Sequence, residues 1–505
     1  MSGGEPGSSV TVHHGPDASK VAENRWKEIV VEEAASILMQ DLDQLDPKTP
    51  DQATLLNLEV KVQAALRRIG GRVVERLVER GVAKFAADRP RCSRCRRPME
   101  VAHGARSRRL VGLTGDFEVV RPEYRCRPCS EHEAPADRLI GLGPGLLSPA
   151  LSRVVARSAA EIPSFERAAH NVGDALGITL EAMTVQRTAE ALGHVAEQEI
   201  QTKMAALEPV ESVAHSADQP VAAPVLPDDA PTLLVGADGG RVHAGGEWRE
   251  VKIGVASRLG PQLELRDDKM RLALGPRVYA AGLEEADRFF DRLSVFVNEV
   301  RGDDPGPVRI VFVGDGGPWI WQRVGWVARP EDEVVEVLDI YHAREHLHAL
   351  AQTVFRTEGE AKAWAKTVGE QMEAEGPRPV LEALNALQPR GKKQRHEVRK
   401  AIDYFTANVG RMDYPTYAAH HWPIGSGIVE STCRLVSNLR TKEPGMRWSE
   451  AGVQAILSLR ALSLSNDNLW QEFFRRQPQR RRPPVVSLTR STPATTNAVG
   501  HAAAA

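Results

Sequence analysis

No run of 18 apolar residues occurs in this chain, so the sequence offers no membrane-spanning helix. Cysteine is scarce, five in 505 residues, and a disulfide framework is not expected. Four of the five stand in two Cys-x-x-Cys pairs, which fits a reducing compartment and a metal site. Net charge is close to nil, −2 at pH 7, so no global field draws the protein to nucleic acid and any basic surface must be local. Residues 1–17 are rich in Gly, Ser, Pro and His and lack the apolar centre of a signal peptide. No internal repeat is evident. What is present is apolar content of 42%, enough for real cores. At this length three or four domains are expected.

Residues 1–20 read as disordered. Trp26, Ile29, Val30, Ala34, Ile37 and Leu38 recur at helical spacing, and a second amphipathic stretch covers 56–82, interrupted at Gly70-Gly71. Together these make an N-terminal helical region, 21–88. The cysteine pairs occupy 89–135. Residues 146–205 read as helices, and 206–231, rich in Ala, Pro and Asp, as a linker. From Thr232 strands take over: 233–237, then 248–258 continued by 262–265, then 309–313 and 334–338. A helix over 283–301 precedes the fourth strand, and a tryptophan-bearing helix (Trp319, Trp321, Trp326) follows it. Residues 341–409 read as helical throughout, 449–464 as a further helix, and 475–505 as a basic, disordered tail.

Three acidic residues stand out, each in a glycine-marked segment. Asp238 ends the run Leu233-Leu234-Val235-Gly236-Ala237, Asp315 ends Ile310-Val311-Phe312-Val313-Gly314, and Glu430 lies in Gly425-Ser426-Gly427-Ile428-Val429-Glu430-Ser431. A carboxylate just past the carboxyl end of a buried strand is held rigidly and faces the open edge of the sheet. Carboxylate oxygens suit Mg²⁺ and Mn²⁺, and three such groups can hold two ions about 4 Å apart for in-line attack at phosphorus. Asp-Gly also shapes turns, and local pattern alone leaves both readings open. Three strands, a helix, a strand, a helix, a strand and a helical region follow the order of an RNase H-like fold. The gap from Asp315 to Glu430 exceeds what strand, loop and helix need, which implies an inserted helical block of roughly 70 residues.

The segments Asp238-Gly239-Gly240-Arg241-Val242, Gly314-Asp315-Gly316-Gly317-Pro318-Trp319-Ile320-Trp321, Leu338-Asp339-Ile340-Tyr341-His342-Ala343-Arg344-Glu345-His346-Leu347, the Glu430 segment and Gly445-Met446-Arg447-Trp448-Ser449 resemble bacterial insertion-sequence transposases of the ISKra type. These belong with the Mutator-like group of DDE transposases. The likeness covers roughly 25–470. It implies that Asp238, Asp315 and Glu430 bind the catalytic metals, and that Asp339-Ile340-Tyr341-His342 supports the active site or the DNA strand near it. Physically, Asp339 can orient His342, and a protonated His342 can contact phosphate. Asp339 can equally cap the helix that follows. His342-Ala343-Arg344-Glu345-His346 also matches the His-x-x-Glu-His signature of a zinc peptidase, with both histidines on one helix face and Glu345 as base; no downstream segment announces its third ligand.

Cys92-Ser93-Arg94-Cys95 and Cys126-Arg127-Pro128-Cys129 are two tight knuckles suited to tetrahedral Zn²⁺ in a zinc ribbon, with a hairpin (109–113, 117–121) between them. All four positions are filled by protein, so the site is expected to be structural. Arginines crowd this module, at 89, 91, 94, 96, 97, 106, 108 and 109; they suit phosphate contacts or a solvated basic surface. Cys433 stands alone and reads as a buried free thiol. Residues 164–176, a turn at Gly177-Ile178-Thr179 and 180–192 resemble a helix-turn-helix, with Thr184, Gln186, Arg187 and Thr188 placed to reach DNA; any glycine-turned helical hairpin looks similar. After Glu430, the charges of Arg434, Arg440, Lys442 and Arg447 can track the DNA backbone and Trp448 can stack on an unpaired base, or the segment is a solvated helix face.

The reading is a multidomain α/β protein. An N-terminal helical region, a zinc ribbon (89–135) and a helix-turn-helix unit (146–205) precede an RNase H-like mixed sheet (232–470) with a helical insertion at about 343–415. The expected function is a DDE transposase that cleaves and transfers DNA strands with two Mg²⁺ (or Mn²⁺) ions, alongside one structural Zn²⁺. Expected partners are the element's terminal inverted repeats, target DNA and a second copy of the chain, since two ends are processed together. The expected location is the bacterial cytoplasm, at the nucleoid. The rival readings are a zinc-dependent DNA-binding regulator with an inactive nuclease-like domain, and the peptidase.

Overall fold

The structure is a computed structural model. It describes residues 18–46, 48–50, 54–83, 89–143, 145–207, 224–266, 269–303, 306–425 and 427–476. The segments read as disordered ends and linker lie mostly outside the described residues.

Two long helices open the chain, α1 (Ala18–Leu45) and α2 (Leu55–Ala83). Ion pairs from Arg72 and Arg76 to Glu33, and from Arg68 to Asp41, set them antiparallel. The interruption expected at Gly70-Gly71 does not occur. The pair is a notch instead: a Cβ on Gly70 would strike the Thr114 carbonyl, and one on Gly71 the Asp116 carbonyl. Those carbonyls belong to the turn between β1 (Glu100–Leu110) and β2 (Phe117–Cys126), strands longer than the hairpin expected. With β3 (Glu131–Glu133) they form an antiparallel sheet in the order β1-β2-β3, and α3 (Pro135–Leu139) follows.

Next come α4 (Pro149–Glu161), α5 (Phe165–Leu176) and α6 (Ala182–Ala205). Ser148 and Ser164 cap the first two through their hydroxyls, and Gly177 ends α5 at φ 63°. The second helix of the expected helix-turn-helix runs past residue 192 to Ala205 because its far half packs elsewhere.

The central sheet contains β4 (Thr232–Ala244), β5 (Glu247–Arg266), β6 (Lys269–Gly282), β7 (Arg309–Gly314) and β8 (Glu333–Leu338), in the order β6-β5-β4-β7-β8. The first three are antiparallel, and β4, β7 and β8 are parallel. Gly245 and Gly246, both at positive φ, make the two-residue turn between β4 and β5. The segments 248–258 and 262–265 belong to one strand, and the third strand is β6, which alternation did not reveal. Register shifts around Leu259 and Leu263 blur the pattern there. Every residue of β7 is buried, as a strand covered on both faces requires.

Helix α7 (Ala286–Arg301) covers one face of the sheet. The tryptophan helix is only α8 (Pro318–Trp321) plus a 3-10 turn, Val324–Val327. The insertion contains α9 (Ile340–Val354), α10 (Glu358–Glu375), α11 (Arg378–Ala386), α12 (Gly391–Ala407) and α13 (Tyr414–Ala419). It shares the sheet's core: Phe405, Tyr414 and Trp422 pack in one cluster with Val313 and Leu338. Then come α14 (Gly427–Thr432), a π-helical stretch (Cys433–Asn438), α15 (Leu439–Thr441), α16 (Glu450–Leu464) and α17 (Asp467–Arg476), the last falling partly where a tail was expected. Among the described residues no helix is long and apolar enough to cross a membrane.

The segments 146–205 and 232–470 do not pack as independent units. Ile456, Leu459 and Trp470 share a core with Leu151, Val155, Val172 and Val185. A Cβ on Gly193 of α6 would strike the Ala455 carbonyl of α16, so these helices cross closely. Glu197 of α6 receives Arg292 of α7 at 2.7 and 3.0 Å and Ser458 of α16 at 2.6 Å.

Candidate functional site

Gly236 of β4 pairs with Val313 of β7 in the parallel ladder. Adjacent strands lie about 4.8 Å apart, and two residues further along each comes an acid: Asp315 just past the end of β7, and Asp238 within β4, which runs on to Ala244, paired with β5, instead of ending at 237 as expected. Asp315 is set by its turn: its Oδ1 accepts from Gly317 N–H at 2.9 Å, Gly316 takes φ 97°, and its carbonyl accepts the Tyr404 hydroxyl at 3.1 Å. Asp238 Oδ1 accepts from Gly239 N–H at 2.6 Å, and Oδ2 accepts the thiol of Cys433 at 3.3 Å. Glu430 precedes Cys433 by one helical turn and its side chain is exposed. Its helix sits on β4 because Gly236 has no side chain: a Cβ there would overlap Cγ2 of Val429.

Burial raises the pKa of Asp238, and the charge of Asp315 adds to this. The Cys433 thiol, the Gly239 N–H and the charge of His342 oppose it. Burial is the larger cause and the like charge of Asp315 the smaller; a cation beside Asp238 would oppose both. Among the described residues, however, the four zinc-type cysteines are the only set of three or more ligating groups with atoms all within 4.8 Å. Asp238, Asp315 and Glu430 thus do not meet at a single point. Both oxygens of Asp238 are engaged by the protein, and Glu430 points to solvent.

Asp339 caps α9, its Oδ1 accepting from Tyr341 N–H at 2.9 Å, while its own N–H bonds the Gly314 carbonyl and ties β8 to β7. His342 and His346 share a helix face with ring centres 4.9 Å apart, and His346 stacks on Tyr404 at 4.1 Å. Burial, then the charges of His342 and Lys400, lower the pKa of His346, which favours the neutral ring. Glu345 is exposed and stands 3.6 Å from His342 Nδ1. Among the described residues this trio does not close a metal-ligand set.

Cys92, Cys95, Cys126 and Cys129 do close one. Sulfurs around a tetrahedral Zn²⁺ with bonds of about 2.3 Å are about 3.8 Å apart; Cys95 and Cys126 lie at 3.5 Å. In both knuckles the residue after the second cysteine takes a left-handed conformation, Arg96 at φ 61° and Ser130 at φ 53°. The backbone N–H of Arg97, followed by neighbouring thiols, lowers Cys95 to about 7, a thiolate within reach of neutral pH. The four sulfurs can hold a zinc ion, with no position left for water.

Of the nucleic-acid contacts read from sequence, Arg187, Arg434, Lys442 and Arg447 are exposed. Thr184 is half-buried, and Gln186 donates to Glu190 at 2.8 Å. Arg440 is a correction. Its guanidinium is fully buried over Phe165 and Trp448, and Nε donates to the Ala159 carbonyl at 2.8 Å. It pins α15 to α4 and α5 rather than facing solvent. Trp448 is likewise packed edge-on to Phe165, with its indole N–H on the Thr441 carbonyl, so its ring is no open stacking platform.

No protein-family model matches the chain, and no curated protein matches it. Sequence reading missed two residues at the acids. Cys433 carried one signal, its three-residue spacing from Glu430; Tyr404 carried none, because it lies inside the insertion, 89 positions from Asp315.

Proposed function

We propose that the chain is a DDE transposase, with β4–β8 and their covering helices forming an RNase H-like catalytic domain that cleaves and joins DNA strands. The observation that carries the reading is the placement of Asp238 and Asp315 on neighbouring parallel strands, Asp238 within β4 and Asp315 just past the end of β7, with the helix of Glu430 seated on Gly236 beside them. The sheet order, with the first strand central between an antiparallel pair and a parallel pair, supports it. So do the long motifs shared with ISKra-type transposases.

Asp238, Asp315 and Glu430 are a hard-oxygen donor set of the kind that suits divalent cations. Two Mg²⁺ or Mn²⁺ ions, when bound, supply activation of water and stabilisation of the leaving oxygen. Asp238, Asp315 and Glu430 would be the residues that hold them. Exposed Arg434, Lys442 and Arg447 would hold the DNA backbone next to Glu430, and α6 with Arg187 would read the terminal repeats. The four-cysteine module would hold its zinc for structure. Two copies acting on paired element ends at the nucleoid complete the reading.

The test is strand cleavage of an oligonucleotide bearing the inverted repeat that flanks the reading frame, with Mg²⁺ or Mn²⁺. Asp315→Asn and Glu430→Gln should abolish cleavage and leave binding intact. Wild-type protein that binds but never cuts would instead support the regulator, a reading favoured by the separation of the three carboxylates. Undiminished cleavage by both variants would remove the assigned roles.

A further inference from the structure

Helix α12 differs in charge from the rest of the insertion. Lys392, Lys393, Arg395, Arg399 and Lys400 are all exposed, and among the described residues none of them has an ion-pair partner. The neighbouring helices neutralise theirs: Lys362 pairs with Glu358, Lys366 with Glu370, and Arg378 with Glu375 and Glu382. In a chain of net charge −2, this is a concentrated, uncompensated positive face. Its opposing acids are half-buried Glu397 and exposed Asp403.

The face also has a direction. Lys393, Lys400 and Tyr404 fall on one side of the helix at i, i+7 and i+11. Tyr404 ends the row at the candidate site, with its hydroxyl on the Asp315 carbonyl and its ring on His346. At 1.5 Å per residue the row spans about 16 Å, close to half a turn of B-DNA at roughly 34 Å per turn. The opposite side is anchored in the core by Val398, Ala401 and Phe405, so the row is rigid.

We infer that the exposed face of α12 is a DNA-backbone track that leads the duplex toward Asp238 and Asp315. This rests on the transposase reading and adds to it a binding surface within the insertion. The contacts are to phosphate, so they are independent of sequence and released by salt.

The experiment measures binding of the full chain to a fluorescent duplex of arbitrary sequence across a range of NaCl concentrations. Wild type is compared with the triple variant Lys393→Gln, Arg399→Gln, Lys400→Gln and with the single variants. Each lost phosphate contact lowers the slope of log affinity against log salt by about 0.9, so the triple variant should fall by about 2 to 3 and each single by about 1. Because all three side chains are exposed, the melting curve should not move, and the single variants give the same readout if the triple one misfolds. Equal slopes for wild type and variants would overturn the track and leave the face to an acidic protein. Wild type that binds no duplex even at low salt would remove the transposase reading itself.

Discussion

Gly236→Ala tests how Glu430 is held. The added Cβ would lie well inside 3.0 Å of Val429 Cγ2 and 3.1 Å from the Val313 carbonyl oxygen. Carbon atoms rest at about 3.5–4.0 Å, so strand and helix must part by about 1 Å. The strand is held on both sides, Gly236 pairing with Val255 and Val313, whereas α14 is only six residues long. The helix therefore moves. Overpacking of this kind costs about 1–3 kcal/mol, so the protein still folds. A 1 Å misplacement of a reacting constellation costs on the order of 10²-fold in rate, so the loss should appear in cleavage, not in DNA binding. Adding Val429→Ala removes the offending methyl; the next helix atom, Val429 Cβ, is 3.8 Å from the new side chain, an ordinary contact, and only the tighter 3.1 Å approach to the Val313 carbonyl remains. Single-turnover cleavage of the end-bearing oligonucleotide should fall about a hundredfold in Gly236→Ala and recover substantially in the double variant. Wild-type rates in the single variant, or no recovery in the double one, would refute this account of how α14 is seated.

Glu197 fastens α6 to α7 and α16. Its burial favours the neutral acid, but Arg292, with Ser458 and Gln201, outweighs that and holds the pKa at about 2 against 4.5. The difference, 4.5 − 2, corresponds to about 3 kcal/mol at about 1.36 per unit. Because the folded pKa is depressed, this stability is present above about pH 4.5 and lost as pH falls toward 2. Glu197→Gln should lower urea stability at neutral pH by about 2–3 kcal/mol and flatten the acid limb below pH 5; unchanged curves would show that the pair contributes nothing. Metal analysis should find one zinc per chain, lost in Cys95→Ser/Cys129→Ser. Structural zinc contributes on the order of 10 kcal/mol in small modules, so protease should then cut within β1–β3 while the central sheet melts as before. Zinc-free wild type with a protease-resistant ribbon would contradict this.

Local pattern revealed much of this protein. The apolar runs at 233–237 and 310–313 read directly as strands, because a strand covered on both faces is mostly apolar; 334–338 did so although it carries Glu336, which is buried against Arg411. The cysteine knuckles, the helical block between Asp315 and Glu430 and the serine-capped helices were legible for similar reasons: each is specified by neighbours in sequence. The sequence left undecided what depends on distant partners. Gly70-Gly71 looks like a helix break until the β1–β2 turn is seated in it. Arg440 looks like a surface cation until Phe165 and Trp448 close over it. The bond from Cys433 to Asp238 spans 195 positions, and that from Tyr404 to Asp315 spans 89. Side-chain type and spacing determine which elements form, since propensity and periodicity act over a few residues. Which face each element buries, and which acid stands beside which thiol or phenol, was decided only when the sheet and its covering helices packed together.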